Sequence, residues 1–125
     1  MKNILSKQQR LQQVIGIKHG EPILYNKGDI VHYIKEHAFF MSEEVTELML
    51  AVGDEDRAIL KPWSVNHKLK SKEKFVSTPE VKSEAMDMLC FCMNICLAVG
   101  ITPDNVDEEF DKVWNKSMQR QKDGY

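Results

Sequence analysis

One stretch limits what this chain can fold into more than any other: Glu84-Ala-Met-Asp87-Met-Leu-Cys-Phe-Cys-Met-Asn94-Ile-Cys-Leu-Ala-Val-Gly100. It sets two acids three residues apart. It then runs from Met88 to Val99 with Asn94 as the only strongly polar member. On a helix, positions i and i+3 share a face. The carboxylates of Glu84 and Asp87 therefore stand together at the mouth of an element that is apolar on every side. A helix of that kind is expected to be buried all round. Two acids at its edge are costly unless something positive meets them. The apolar run is also too short to cross a bilayer, which takes about 20 residues.

The rest of the 125 residues narrows the classes further. A chain of this length reads as one domain, residues 1–125, with a modest core. Its 17 basic and 19 acidic residues leave a net charge of −2, and no block of like charge suggests nucleic acid or a membrane surface as a partner. Cys90, Cys92 and Cys96 all fall in the apolar run and form no C-x-x-C pair. They read as small buried hydrophobes in a reducing compartment. The first residues lack the apolar core of a secretory leader, so the expected location is cytoplasmic.

Along the chain, Ile4, Leu5, Leu11, Val14 and Ile15 recur at a helical period, predicting a helix over residues 3–16. Gly16, Gly20, Pro22 and Gly28 then read as loop. Asp29 is the expected cap of a long second helix whose apolar side runs from Ile30 through Tyr33, Val45 and Leu48 to Val52, ended by Gly53. Residues 54–77 break the periodicity and include Lys61-Pro62-Trp63 and a basic patch from His67 to Lys74. Ser77-Thr78-Pro79-Glu80 starts a third helix, with Glu80 as a capping-box acid if Ser77 is the cap. Thr102-Pro103-Asp104 repeats the cap-then-proline signal before a fourth helix striped with Val106, Phe110, Val113, Trp114 and Met118. The expected architecture is all-α, four to five helices with the middle pair antiparallel. A second copy is expected to complete the bundle, because three partner helices do not cover an element as apolar as residues 88–99.

The second helix carries its own acids, Glu43-Glu44-Val-Thr-Glu47. Glu44 and Glu47 share a face, and Glu43 points about 100° away. If the two middle helices pack face to face, four carboxylates converge. Alone they repel, and several are driven to hold protons. Carboxylate-only sites suit Mg²⁺ or Mn²⁺ rather than Zn²⁺, and Mg²⁺ habitually meets phosphate oxygens. The competing reading makes these acids the solvated faces of amphipathic helices. A di-iron bundle wants Glu-x-x-His pairs, and no histidine here follows a glutamate at that spacing. No Gly-rich phosphate loop and no nucleophile with an ordered base are visible. Phosphate contacts would come from side chains, with Lys61, Lys116, Arg120 and Tyr125 as candidates.

Glu43-Glu44-x-x-Glu47 followed by Glu84-x-x-Asp87 is similar to the metal motif of the all-α nucleoside triphosphate pyrophosphohydrolases, which include MazG-like proteins and the dimeric dUTPases and dCTPases. Three further features resemble the dimeric dUTPase/dCTPase branch, and its short phage-type members in particular. They are Lys61-Pro62-Trp63, Glu84-x-x-Asp87-x-x-x-Phe91-x-Met93-Asn94, and the terminal Arg120-Gln121-x-x-Gly124-Tyr125. Together they cover residues 30–125. The resemblance implies Mg²⁺-dependent hydrolysis of a deoxynucleoside triphosphate, dUTP or dCTP foremost, to monophosphate and pyrophosphate, serving nucleotide-pool control. It implies Glu44, Glu47, Glu84 and Asp87 as metal ligands, with Glu43 behind them helping to orient the attacking water. Lys116, Arg120 and Tyr125 would serve the phosphates, and Asn94 the sugar or base. Trp63 would close over the nucleotide or pack, and Trp114 would pack in the core. A homodimer or higher homo-oligomer is implied as well. Ser117 stands where the family usually has Asn, and Trp114 where Tyr or His is commoner. Two other readings remain open: a MazG-like enzyme for other or modified nucleotides, and a non-catalytic helical interaction module.

Overall fold

The computed structural model describes residues 1–19, 24–53 and 74–124. Among these the chain is all-helical: α1 (Lys2–His19), α2 (Lys27–Val52), α3 (Pro79–Ala98) and α4 (Val106–Lys122). No strand occurs among the described residues. The four helices expected from periodicity are all present, and their ends show how local chemistry chose the boundaries.

α1 runs on to His19, through Gly16, which the sequence reading had placed in a loop. A single glycine costs a helix about 1 kcal/mol, and Gly16 lies buried, where packing offsets that. α2 starts two residues before the expected cap. The Asn26 side chain, not that of Asp29, caps it: Asn26 Oδ1 accepts from the Asp29 N–H at 2.9 Å. Asp29 Oδ2 in turn accepts from the Tyr25 N–H at 3.2 Å, so the acid serves as the reciprocal member of the cap. α3 is capped by Thr78, whose Oγ1 accepts from the Val81 N–H at 3.2 Å, rather than by Ser77. Pro79 is then the first helical residue, where its missing N–H is harmless. α3 ends in a Schellman motif at Gly100, φ 99°. The Ile101 N–H reaches the Cys96 carbonyl at 3.0 Å and the Gly100 N–H the Leu97 carbonyl at 3.2 Å. α4 begins only at Val106. Residues 102–105 form a turn closed by Asn105, whose Oδ1 accepts from the Thr102 N–H at 2.8 Å.

The chain divides into two compact units, residues 1–33 with 93–125, and residues 34–92. In the first, Leu5 and Met93 are the buried apolar side chains, 1% and 5% exposed. Beside them is a buried polar pair: Gln8 Nε2 donates to Asn94 Oδ1 at 2.8 Å. Asn94, the lone polar residue of the apolar run, thus has a core partner on α1. Asn94→Ala is expected to cost about 1–3 kcal/mol, because it strands a buried amide. Replacing both residues by leucine should cost much less. Urea melts of the two variants check this.

In the second unit, α2 and α3 run antiparallel. Phe40 meets Phe91 with ring centroids 5.7 Å apart, and His37 meets Phe91 at 6.1 Å. Further along α2, Glu44 and Glu47 approach Glu84. Rising numbers on one helix meet falling numbers on the other, as expected of the middle pair. Val81, 9% exposed, is the buried apolar residue here among the described residues.

Two expectations about burial are unmet within the single chain. Residues 88–99 are not buried all round: Met93 and Asn94 are, but Cys92 and Val99 are exposed, and Cys90 and Cys96 only half-covered. Within the single chain Cys90 and Cys96 are thus only partly covered and Cys92 is exposed. Trp114 does not pack in the core either, being 53% exposed. The reason is common to both. A helix neighbour covers one stripe of its partner, and the described part of a single chain offers too few stripes to wrap an all-apolar helix. No helix among the described residues is long and apolar enough to cross a membrane.

Candidate metal centre

The acids on α2 and α3 converge within the second unit. Glu44, Glu47 and Glu84 each bring one carboxylate oxygen within 4.8 Å of the others. Glu44 and Glu47 meet because they are three residues apart on α2, and the antiparallel pairing anchored by Phe40 and Phe91 brings Glu84 across to them. Glu44 and Glu84 are half-buried, whereas Glu47 is exposed. One oxygen on each of the covered acids, Glu44 Oε2 and Glu84 Oε2, is shut off from solvent and has no hydrogen-bond partner.

Electrostatics shows the same tension. The Glu44 carboxyl is raised from 4.5 to about 6, first by burial, then by its hydrogen bond to Glu47, then by the charges of Glu47, Asp87 and Glu84. Glu84 is also raised, first by burial and then by the charges of Glu47 and Asp87. Every charge acting on these two groups is negative. Buried acids normally find a donor or a cation, and neither enclosed oxygen has one among the described residues. The cluster's donor set is entirely carboxylate oxygen, which suits hard divalent cations such as Mg²⁺ or Mn²⁺ better than Zn²⁺. Sulfur plays no part. The Cys90 thiol, on the next turn after Asp87, is pushed up by burial and then by Asp87 and Glu44, so it stays protonated and unreactive.

The other sequence-derived site residues fall as follows. Asp87 is exposed, one turn on from Glu84, and stands outside the converging trio while acting on both Glu44 and Glu84 by its charge. Glu43 is exposed. Asn94 belongs to the first unit, bonded to Gln8. Lys116 and Arg120 are exposed on α4, also in the first unit. Lys61, Trp63 and Tyr125 lie outside the described residues.

The sequence reading missed a cleft in the first unit. Its volume is about 390 Å³, and Gln9, Gln12, Gln13, Tyr33, Asn94 and Thr102 give it a polar lining. Leu97 and Ile101 supply apolar wall. The size is that of a small-ligand site. A signal for it was present: Gln8, Gln9, Gln12 and Gln13 repeat at i, i+1, i+4 and i+5, one helical face of amides. Read as sequence, that face passed for solvated surface.

No family model and no solved structure matches the chain. Among characterised proteins, it is 24% identical over 114 residues to a dCTP pyrophosphatase of Enterobacteria phage T4. The match takes in 82% of this chain and 66% of that protein, so just under two thirds of the relative's length is represented. Across most of its own length, then, the chain is similar to a nucleotide pyrophosphatase.

Proposed function

We propose that this protein hydrolyses a deoxynucleoside triphosphate, dUTP or dCTP foremost, to the monophosphate and pyrophosphate, with Mg²⁺ or Mn²⁺ held by Glu44, Glu47, Glu84 and Asp87. The observation that carries this reading is the convergence of three carboxylates in which two inward oxygens have no partner. The likeness to a phage dCTP pyrophosphatase supports the substrate class. When bound, the cation supplies positive charge to phosphate oxygens and acidity to a water.

The remaining work falls to the chain. Glu44 and Glu84 are the fixed, half-buried anchors. Glu47 is the solvent-exposed member of the trio, on the side where an attacking water would arrive. Glu43, one residue before Glu44 and also exposed, orients that water from behind the trio. Lys61, Lys116, Arg120 and Tyr125 as phosphate contacts, Trp63 as a cover for the nucleotide and Asn94 as a contact to sugar or base remain assignments made on the sequence pattern.

The test is a panel of the common ribo- and deoxyribonucleoside triphosphates with Mg²⁺ and product analysis. The expected result is monophosphate plus pyrophosphate, fastest from dUTP or dCTP. Turnover confined to a modified or ribonucleotide would move the assignment to another substrate of the same chemistry. Silence across the panel would remove the enzymatic reading. An unchanged melting temperature with metal and nucleotide would then leave a helical interaction module whose acids are surface.

A further inference from the structure

Gln8 and Asn94 are the buried polar side chains among the described residues, 6% and 4% exposed. They relate differently to the cleft of the first unit. Asn94 lines it, together with Gln9, Gln12 and Gln13 of α1 and with Leu97 and Ile101. Gln8 is not part of the lining and bonds to Asn94 from behind it. No lining residue carries a charge. Such a cleft does not fit a phosphate, which calls for Lys or Arg. Amides beside an apolar wall fit a neutral ring with hydrogen-bonding edges.

An amide has two ends, an oxygen that accepts and an NH₂ that donates. Gln9 and Gln12 are half-buried and Gln13 is exposed, so each can turn either end to a ligand. Asn94 lacks that freedom. Gln8 Nε2 donates to Asn94 Oδ1 at 2.8 Å in a buried layer. Turning Asn94 over by itself would set two NH₂ groups against each other out of reach of water, which costs more than a solvated rotation.

We propose that this cleft takes the pyrimidine of the substrate, and that Gln8 is a positioning residue that sets the choice of base. By holding Asn94 Oδ1, it leaves the Nδ2 hydrogens as the end of Asn94 that meets the ring. Uracil presents a carbonyl at its 4-position where cytosine presents an amino group. A fixed donor pairs with the first and opposes the second, so the preferred base is uracil. The assignment rests on the reading of this protein as a nucleoside triphosphate pyrophosphohydrolase, and adds to it a base and the residue that sets it.

NMR titration of the ¹⁵N-labelled full chain with deoxyuridine and with deoxycytidine, in EDTA, tests this. Deoxyuridine should bind about tenfold more tightly and should move the side-chain amide resonances of Asn94. Gln8→Met keeps an unbranched stem of similar length and removes the bond to Asn94. It should bring the two nucleosides to within about twofold of each other, whereas a loosened fold would weaken both and keep their ratio. Asn94→Asp keeps an acceptor for Gln8 and turns a second oxygen toward the cleft. It should reverse the order in favour of deoxycytidine, and it carries the test if Gln8→Met does not fold. The proposal is overturned if the wild type binds neither nucleoside or favours deoxycytidine. It is also overturned if folded Gln8→Met keeps the wild-type ratio, or if Asn94→Asp still favours deoxyuridine. Neutral nucleosides bring no phosphate to the metal centre, so these readouts are independent of turnover. Selective binding of deoxyuridine by a chain that hydrolyses no triphosphate would end the enzymatic reading and leave the base choice of the cleft standing.

Discussion

Glu44→Gln should raise the melting temperature of the metal-free protein and, in the same stroke, remove its activity. The two effects share one cause. The Glu44 carboxyl is pushed up to about 6 by burial and by Glu47, Asp87 and Glu84. At neutral pH, therefore, the folded state holds a charge that its surroundings disfavour. A neutral amide of the same shape removes that burden and can donate a hydrogen bond to Glu47 or Glu84. The expected gain is about 2–6 °C at pH 7.5 with EDTA present. The amide is a far poorer ligand for a hard cation. Loss of charge stabilisation worth several kcal/mol means a fall in kcat of about 10²- to 10⁴-fold. Glu84→Gln should behave alike, since Glu84 Oε2 is also enclosed and unpartnered. Glu47→Gln should abolish turnover with a smaller stability gain, because Glu47 is exposed. A Glu44→Gln protein that melts lower without metal would show that the acid has a partner. One that keeps full turnover would end the assignment of the centre.

The second large effect is a change in pH dependence when metal is added. Glu44 and Glu84 both have folded-state values above their unfolded ones. Their stabilising contribution is fully present below about 4.5, where both states hold the proton. It is lost as pH rises through about 6, the folded value for Glu44. Relative to a Glu44→Gln/Glu84→Gln reference, metal-free wild type should therefore lose stability between pH 5 and pH 7.5. A divalent cation binds the deprotonated carboxylates and competes with protons for them. The rise in melting temperature produced by Mg²⁺ or Mn²⁺ should thus be larger at pH 7.5 than at pH 5. Thermal melts at both pH values, at constant ionic strength with EDTA or metal, read the difference directly. A metal-induced shift that is the same at both would place the binding somewhere other than this cluster.

Helix by helix, the sequence was informative where a local pattern decided the outcome. Apolar periodicity placed α1 to α4, and Gly53 and Gly100 marked the ends of α2 and α3 because their positive φ suits residues without a Cβ. It was less informative at helix starts, where several cap-competent residues stood in a row. Asn26 and Asp29, or Ser77 and Thr78, differ in which side chain reaches an N–H, and three-dimensional geometry makes that choice. The converging acids were legible as two i, i+3 pairs. Their reduction to a trio with Asp87 just outside was not, since that depends on the rotation of α3 against α2.

Burial was the least legible property. The run of residues 88–99 established by itself that α3 would be apolar on every side, and that Glu84 and Asp87 would share its first turns. Helical periodicity is a property of the chain alone, so no tertiary information was required. What covers that apolar surface is a property of neighbours. Only the folded chain shows Asn94 tied to Gln8, Cys92 and Val99 left in solvent, and the Phe110–Met118 stripe of α4 without cover. Likewise, two pairs of acids can be read from spacing, but the enclosed, unpartnered oxygens of Glu44 and Glu84 arise only when two helices meet. Spacing along a helix is set by local backbone geometry, whereas desolvation is set by everything packed around it.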